Sequence, residues 1–169
     1  MAKTLVVYYS YTGNSKKIAL YAKEKLQADI LELLPVEPFS DDYDAVVEEW
    51  QNNDLKRDVE IKDIGVNLSI YDKVVLITCT WWYGISPVMK KFLKEYDLSG
   101  KDVLVGSTNA GWLGHSLKDY LLSYNLRSHS FTSFISVTNL SLSCSFAEKT
   151  ILSSPFICEL GSNASVRKS

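Results

Sequence analysis

The run Val74-Val75-Leu76-Ile77 has no polar break. Successive side chains of a strand point to opposite faces, so a strand with one wet face alternates; an unbroken aliphatic run is a strand covered on both sides. Another apolar run, Thr4-Leu5-Val6-Val7-Tyr8-Tyr9, lies near the beginning of the chain. Doubly buried strands belong to parallel sheets sheathed by helices, and this points to an α/β protein.

The segments between agree. Lys16 to Gln27 places Ile18, Ala19, Ala22 and Leu26 on one face, the pattern of an amphipathic helix over a sheet. Ala28 to Leu34 reads as a short strand ended by Pro35 and Pro38, and Ser40 to Arg57 as a helix capped by Ser40 or Asp41, its acidic start and basic end suiting the dipole. Lys73 to Cys79 and Asp102 to Gly106 are predicted strands. Helices are predicted from Pro87 to about Tyr96 and from Leu117 to Tyr124. Phe131 to Val137 alternates like a strand, Ser145 to Leu152 suits a short helix, and fraying is expected from about Gly161. Such alternation predicts a doubly wound parallel sheet, in which ligands sit at the carboxyl ends of strands.

A chain of 169 residues suits one filled core, so residues 1–169 are read as a single domain, with an atypical serine-rich part from about residue 124. A net charge of -2 gives no general attraction to nucleic acid or anionic membrane, and no apolar run reaches spanning length. A cytoplasmic protein is expected. Cys79, Cys144 and Cys158 are scattered and odd in number, and with only His115 and His129 beside them they suggest neither a disulfide framework nor a metal site.

Each predicted inner strand ends in an unusual loop. The first, Ser10-Tyr11-Thr12-Gly13-Asn14-Ser15, sets hydroxyls and a glycine at the positive end of a helix, which is an anion cradle. It lacks the lysine of a triphosphate loop and the spaced glycines of a dinucleotide fingerprint, so a terminal phosphate monoester fits best. The same residues are also ordinary turn and N-cap chemistry. The second loop carries Thr80, Trp81, Trp82, Tyr83 and Gly84. Neither helix nor strand turns three consecutive rings inward, and an outward ring suits stacking on a flat conjugated ligand, although a protein interface would use it too. The third, Thr108, Asn109, Ala110, Gly111, Trp112, Leu113 and Gly114, has small residues that let backbone amides reach a ring edge, or that simply make a turn. A phosphate monoester joined to a planar heteroaromatic is the anatomy of flavin mononucleotide, FMN.

On these residues the chain resembles the flavodoxin family over roughly Lys3 to Tyr124. The resemblance implies a flavodoxin-like, doubly wound five-stranded parallel sheet in the order 2-1-3-4-5, with FMN across the tips of the first, third and fourth strands. By position, Ser10, Thr12, Asn14 and Ser15 would bind the phosphate with backbone help from Tyr11 and Gly13. Thr80 to Gly84 would wall the ring, Trp82 or Tyr83 stacking on it and Gly84 lying near N5; Thr108, Asn109, Ala110 and Gly111 would meet the pyrimidine edge, with Gly114 beyond. The implied activity is electron transfer with redox partner proteins or a small-molecule acceptor, needing no catalytic acid, base or nucleophile from the chain. The alternative is an NAD(P)H-dependent FMN or quinone reductase of the same fold. The mild net charge is unlike the strongly acidic surface common in carriers. A cofactor-free binding module is the third class, but a magnesium-holding receiver is disfavoured, since Tyr8-Tyr9-Ser10 offers no acidic pair.

Overall fold

The two apolar runs become the middle of a sheet. A computed structural model describes residues 2–52, 59–123 and 131–138. Strand β1 (Thr4–Tyr8) pairs in parallel with β2 (Asp29–Glu32) on one side and with β3 (Lys73–Trp81) on the other. Beyond β3 a two-residue strand, β4 (Gly84–Ile85), folds back antiparallel on its end. β5 (Asp102–Asn109) pairs in parallel with β3, and β6 (Phe131–Thr138) with β5. The path β2-β1-β3-β5-β6 is the expected 2-1-3-4-5 order once the short hairpin strand is set aside. Helices α1 (Asn14–Leu26), α2 (Tyr43–Asn52), α3 (Pro87–Glu95) and α4 (Ser116–Ser123) lie between the strands in sequence.

The missing polar break in the strands follows from what covers them. Val6, Tyr8, Val75, Ile77 and Leu104 share one core with Ile18, Ala19, Ala22 and Leu26 of α1. Their sequence neighbours Leu5, Val7, Val74, Leu76, Val103 and Val105 belong to the core of the other face, with Val46 and Trp50 of α2, Val88, Met89 and Phe92 of α3, and Tyr120 of α4. The fold is therefore the doubly wound, flavodoxin-like α/β sandwich that the pattern of runs implied.

Strand ends differ from expectation. β3 continues past Cys79 to Trp81, and β5 past Gly106 to Asn109. The extra residues find backbone partners in β3, β4 and β6, and their hydroxyls are satisfied as well: Thr78 donates to Ser86 at 2.7 Å, and Thr80 and Ser107 lie 3.0 Å apart. Helix α2 begins at Tyr43 with Asp42 as the capping residue, not Ser40 or Asp41. The Asp42 carboxylate accepts the Asp44 N–H at 2.9 Å and its carbonyl the Val46 N–H at 3.2 Å, while Ser40 Oγ accepts the Asp42 N–H at 3.1 Å. In α3 the Ser86 hydroxyl caps the Met89 N–H at 3.2 Å, with Pro87 in the first turn where its lost N–H is harmless. The end of the predicted helix at Arg57, the helix Ser145 to Leu152 and the stretch from Gly161 lie outside the described residues. No helix among the described residues is long and apolar enough to cross a membrane.

Phe92 has no exposed surface and sits in the core on the α2, α3 and α4 face. Phe92→Ala is expected to lower stability by about 3–5 kcal/mol, read from equilibrium urea unfolding.

Candidate functional site

The loop after β1 enters α1 through Gly13, the N-cap, whose φ of 85° is a left-handed conformation suited to glycine. The alternative reading of this loop, Ser or Asn capping the helix, is not what forms. No side chain caps α1. The first helical hydrogen bond runs from the Lys17 N–H to the Gly13 carbonyl at 3.2 Å, so the N–H groups before Lys17 have no acceptor within the helix and sit at its positive end. Beside them, Ser10 Oγ is buried and has no hydrogen-bond partner among the described residues. A buried hydroxyl left unpaired is costly, and a phosphate oxygen reaching this bend would pair it; the residues present therefore fit a phosphoester. Thr12 and Asn14 are exposed, and Gly13 and Tyr11 partly so.

Ser15 is placed differently. Its side chain is buried, with Oγ 2.8 Å from Thr108 Oγ1, so it ties the first loop to the end of β5. One of the two hydroxyls donates in that bond, which leaves the other's hydrogen for a third group.

The three consecutive rings separate where β3 gives way to a turn. Trp81, the last residue of β3, is buried in an aromatic cluster, with ring centroids 4.9 Å from Phe39, 5.7 Å from Trp50 and 6.5 Å from Tyr9. It belongs to the core rather than to an open wall. Tyr11 meets it edge-on at 5.4 Å and donates its hydroxyl to the Ser40 carbonyl at 2.6 Å, joining the first loop to the start of α2. Trp82 is half-buried with φ 56°, and Tyr83 is 49% exposed. Tyr83 makes an edge contact at 4.9 Å with Trp112 of the third loop, itself 69% exposed. An exposed aromatic pair from two strand tips offers an outer face on which a flat ring can stack.

Thr108 and Asn109 close β5 rather than open a loop. The Asn109 side chain accepts the Gly111 N–H at 3.0 Å, shaping the turn, and Ala110 and Gly111 are exposed. Gly114, at φ 57°, lies against the Tyr83 backbone so closely that a Cβ would fall on the Tyr83 carbonyl. The next residue, His115, donates its N–H to that carbonyl at 2.6 Å. Thr80 Oγ1 lies 3.4 Å from Ser116 Oγ, which itself donates to the Leu113 carbonyl at 2.8 Å. The tips of β1, β3 and β5 are thus brought together: Ser15 reaches Thr108, Tyr11 reaches Trp81, and Tyr83 reaches Trp112 and Gly114.

Two residues here were not legible as site residues. His115 and Asp119 of the α4 segment lie against the Tyr83–Ile85 hairpin, and the only local signal was their spacing of four along a helix. Cys79 stands near the end of β3, where burial pushes its thiol up to about 11.

The fold and its three loops define a doubly wound α/β protein in which the loops leaving β1, β3 and β5 meet at one end of the sheet. A family model described as flavodoxin matches residues 3–126. The chain belongs to the flavodoxin family. Comparison with curated protein sequences gives no match. Among solved structures, the chain is similar to one described as a flavoprotein from Bacteroides eggerthii, with 24% identity, a TM-score of 0.69 and coverage of 90% of this chain and 96% of the other. A second, described in the same way and from Bacteroides uniformis, gives 19% identity, a TM-score of 0.73 and coverage of 89% and 97%. A third is a flavoprotein from Lactobacillus acidophilus in complex with FMN, with 20% identity, a TM-score of 0.65 and coverage of 88% and 98%. Identities this low show the shared fold.

Gly114→Ala forces both a left-handed alanine and a clash with unyielding backbone. It is expected to cost about 1–3 kcal/mol of stability and to loosen the Tyr83 turn, measured by urea unfolding and Trp fluorescence.

Proposed function

We propose that the protein is an FMN-binding electron-transfer protein. The observation that carries this reading is the orphaned Ser10 hydroxyl beside an α1 start that no side chain caps. A phosphate monoester supplies acceptors for both, and the FMN complex of the Lactobacillus acidophilus flavoprotein, which shares the fold, supports FMN as the source of that phosphate.

In this reading the N–H groups of the first turn of α1, with Ser10, Thr12 and Asn14, hold the phosphate; Ser15 contributes its N–H and shares its hydroxyl with Thr108. Tyr83 and Trp112, the exposed pair, offer with Trp82 an aromatic wall for the ring, and Asn109 to Gly111 present backbone to its polar edge. Bound FMN supplies reversible one- and two-electron chemistry, and the chain contributes binding, orientation and exclusion of water. The proposal extends to a single domain over residues 1–169, working in the cytoplasm with redox partner proteins or a small acceptor.

Replacing Ser10 and Thr12 together by alanine is expected to weaken FMN roughly a hundredfold while leaving riboflavin unchanged, because only FMN carries the phosphate. Fluorescence titration of the apoprotein with both ligands measures this. The carrier assignment has its own test: on rapid mixing with NADH or NADPH the flavin absorption should persist, whereas fast bleaching with turnover on a quinone would assign the protein as a reductase instead.

A further inference from the structure

The hairpin carrying Trp82 and Tyr83 is held from α4 as well as from the sheet. On one side of Gly84, the Tyr83 carbonyl accepts the His115 N–H at 2.6 Å; on the other, the Ile85 N–H donates to Asp119 Oδ2 at 3.2 Å. The approach is so close that a Cβ on Gly84 would fall on Asp119 Oδ2, just as one on Gly114 would fall on the Tyr83 carbonyl. The Asp119 side chain is only 17% exposed, and its charge is met by Lys90 Nζ at 3.4 Å and His115 Nδ1 at 3.3 Å. Within the turn so held, Trp82 keeps a φ of 56°, which a bulky residue sustains only where its surroundings over-determine it.

We propose that Asp119 is a positioning residue: it fixes the Trp82-Tyr83-Gly84 turn in the orientation that receives the flat ring of the cofactor. This rests on the FMN reading above. A turn ordered before the ligand arrives spares the ligand the ordering cost, so losing the clamp weakens ring binding whatever tail the ring carries. That separates Asp119 from Ser10, whose loss is felt only through the phosphate.

The test uses the full chain as apoprotein, with Asp119→Ala and Asp119→Asn. Asp119→Ala should speed hydrogen exchange of the Ile85 amide by about tenfold while the amides of β1 and β3 keep their protection, and should weaken FMN and riboflavin by one common factor of about ten. Asparagine still offers an oxygen to the Ile85 N–H and should restore most of both. Gly84→Ala, which drives the carboxylate away from the other side, should reproduce the alanine phenotype; if Asp119→Ala does not fold, Asp119→Asn against Gly84→Ala makes the same comparison. Unchanged exchange at Ile85, or FMN weakened without riboflavin, would overturn the assignment. Wild-type protein that binds neither ligand would sink the FMN reading separately, and exchange at Ile85 would still decide whether the clamp exists.

Discussion

A parallel sheet buried on both faces has nowhere to do chemistry except at its ends. Val74, Leu76, Val103 and Val105 lie under α2, α3 and α4, while Val75, Ile77 and Leu104 lie under α1. Aliphatic side chains fill the middle of these strands on both faces, and Thr78, Thr80, Ser107, Thr108 and Asn109 gather at the carboxyl tips. The loops that leave those tips carry the polar and aromatic groups of the candidate site. Everything proposed for the site follows from that confinement.

The tips are joined by hydroxyls. Ser15 with Thr108, Thr78 with Ser86, Thr80 with Ser107 and Ser116 tie α1, α3 and α4 to the middle strands. Each such bond contributes only about 1 kcal/mol net, but each fixes the direction in which a loop departs. Ser10 stands out against this lattice as the one buried side-chain hydroxyl of the first loop without a partner among the described residues. A ligand oxygen reaching the bend would give that hydroxyl its partner.

The strand cores were legible because burial on both faces leaves an unmistakable trace in the sequence. Their lengths were not. Thr80-Trp81 and Ser107-Thr108-Asn109 look like loop residues when read locally and become strand through distant partners: Thr80 and Trp81 pair with Ile85 and Gly84, Ser107 and Thr108 with Thr78 and Cys79, and Asn109 with Thr138. The fate of the three rings was half legible: strand alternation required that they could not all turn inward, yet that Trp81 would be the inward one depended on Phe39 and Trp50 arriving from the α2 side. The capping of α2 by Asp42 instead of Ser40 or Asp41 is a short shift along the chain that propensity does not resolve.

What the sequence determined by itself is the architecture and the chemical character of the three loops, since periodicity and residue type are local properties. Tertiary structure alone decided which of those residues are available to a ligand. Ser15 faces Thr108, far along the chain, and Asp119 reaches Gly84 from another element; neither relation leaves a mark in the segments that make it. Contacts across such separations depend on how helices seat on the sheet. That seating is set by the packed volume of the whole core, and no window of sequence contains it.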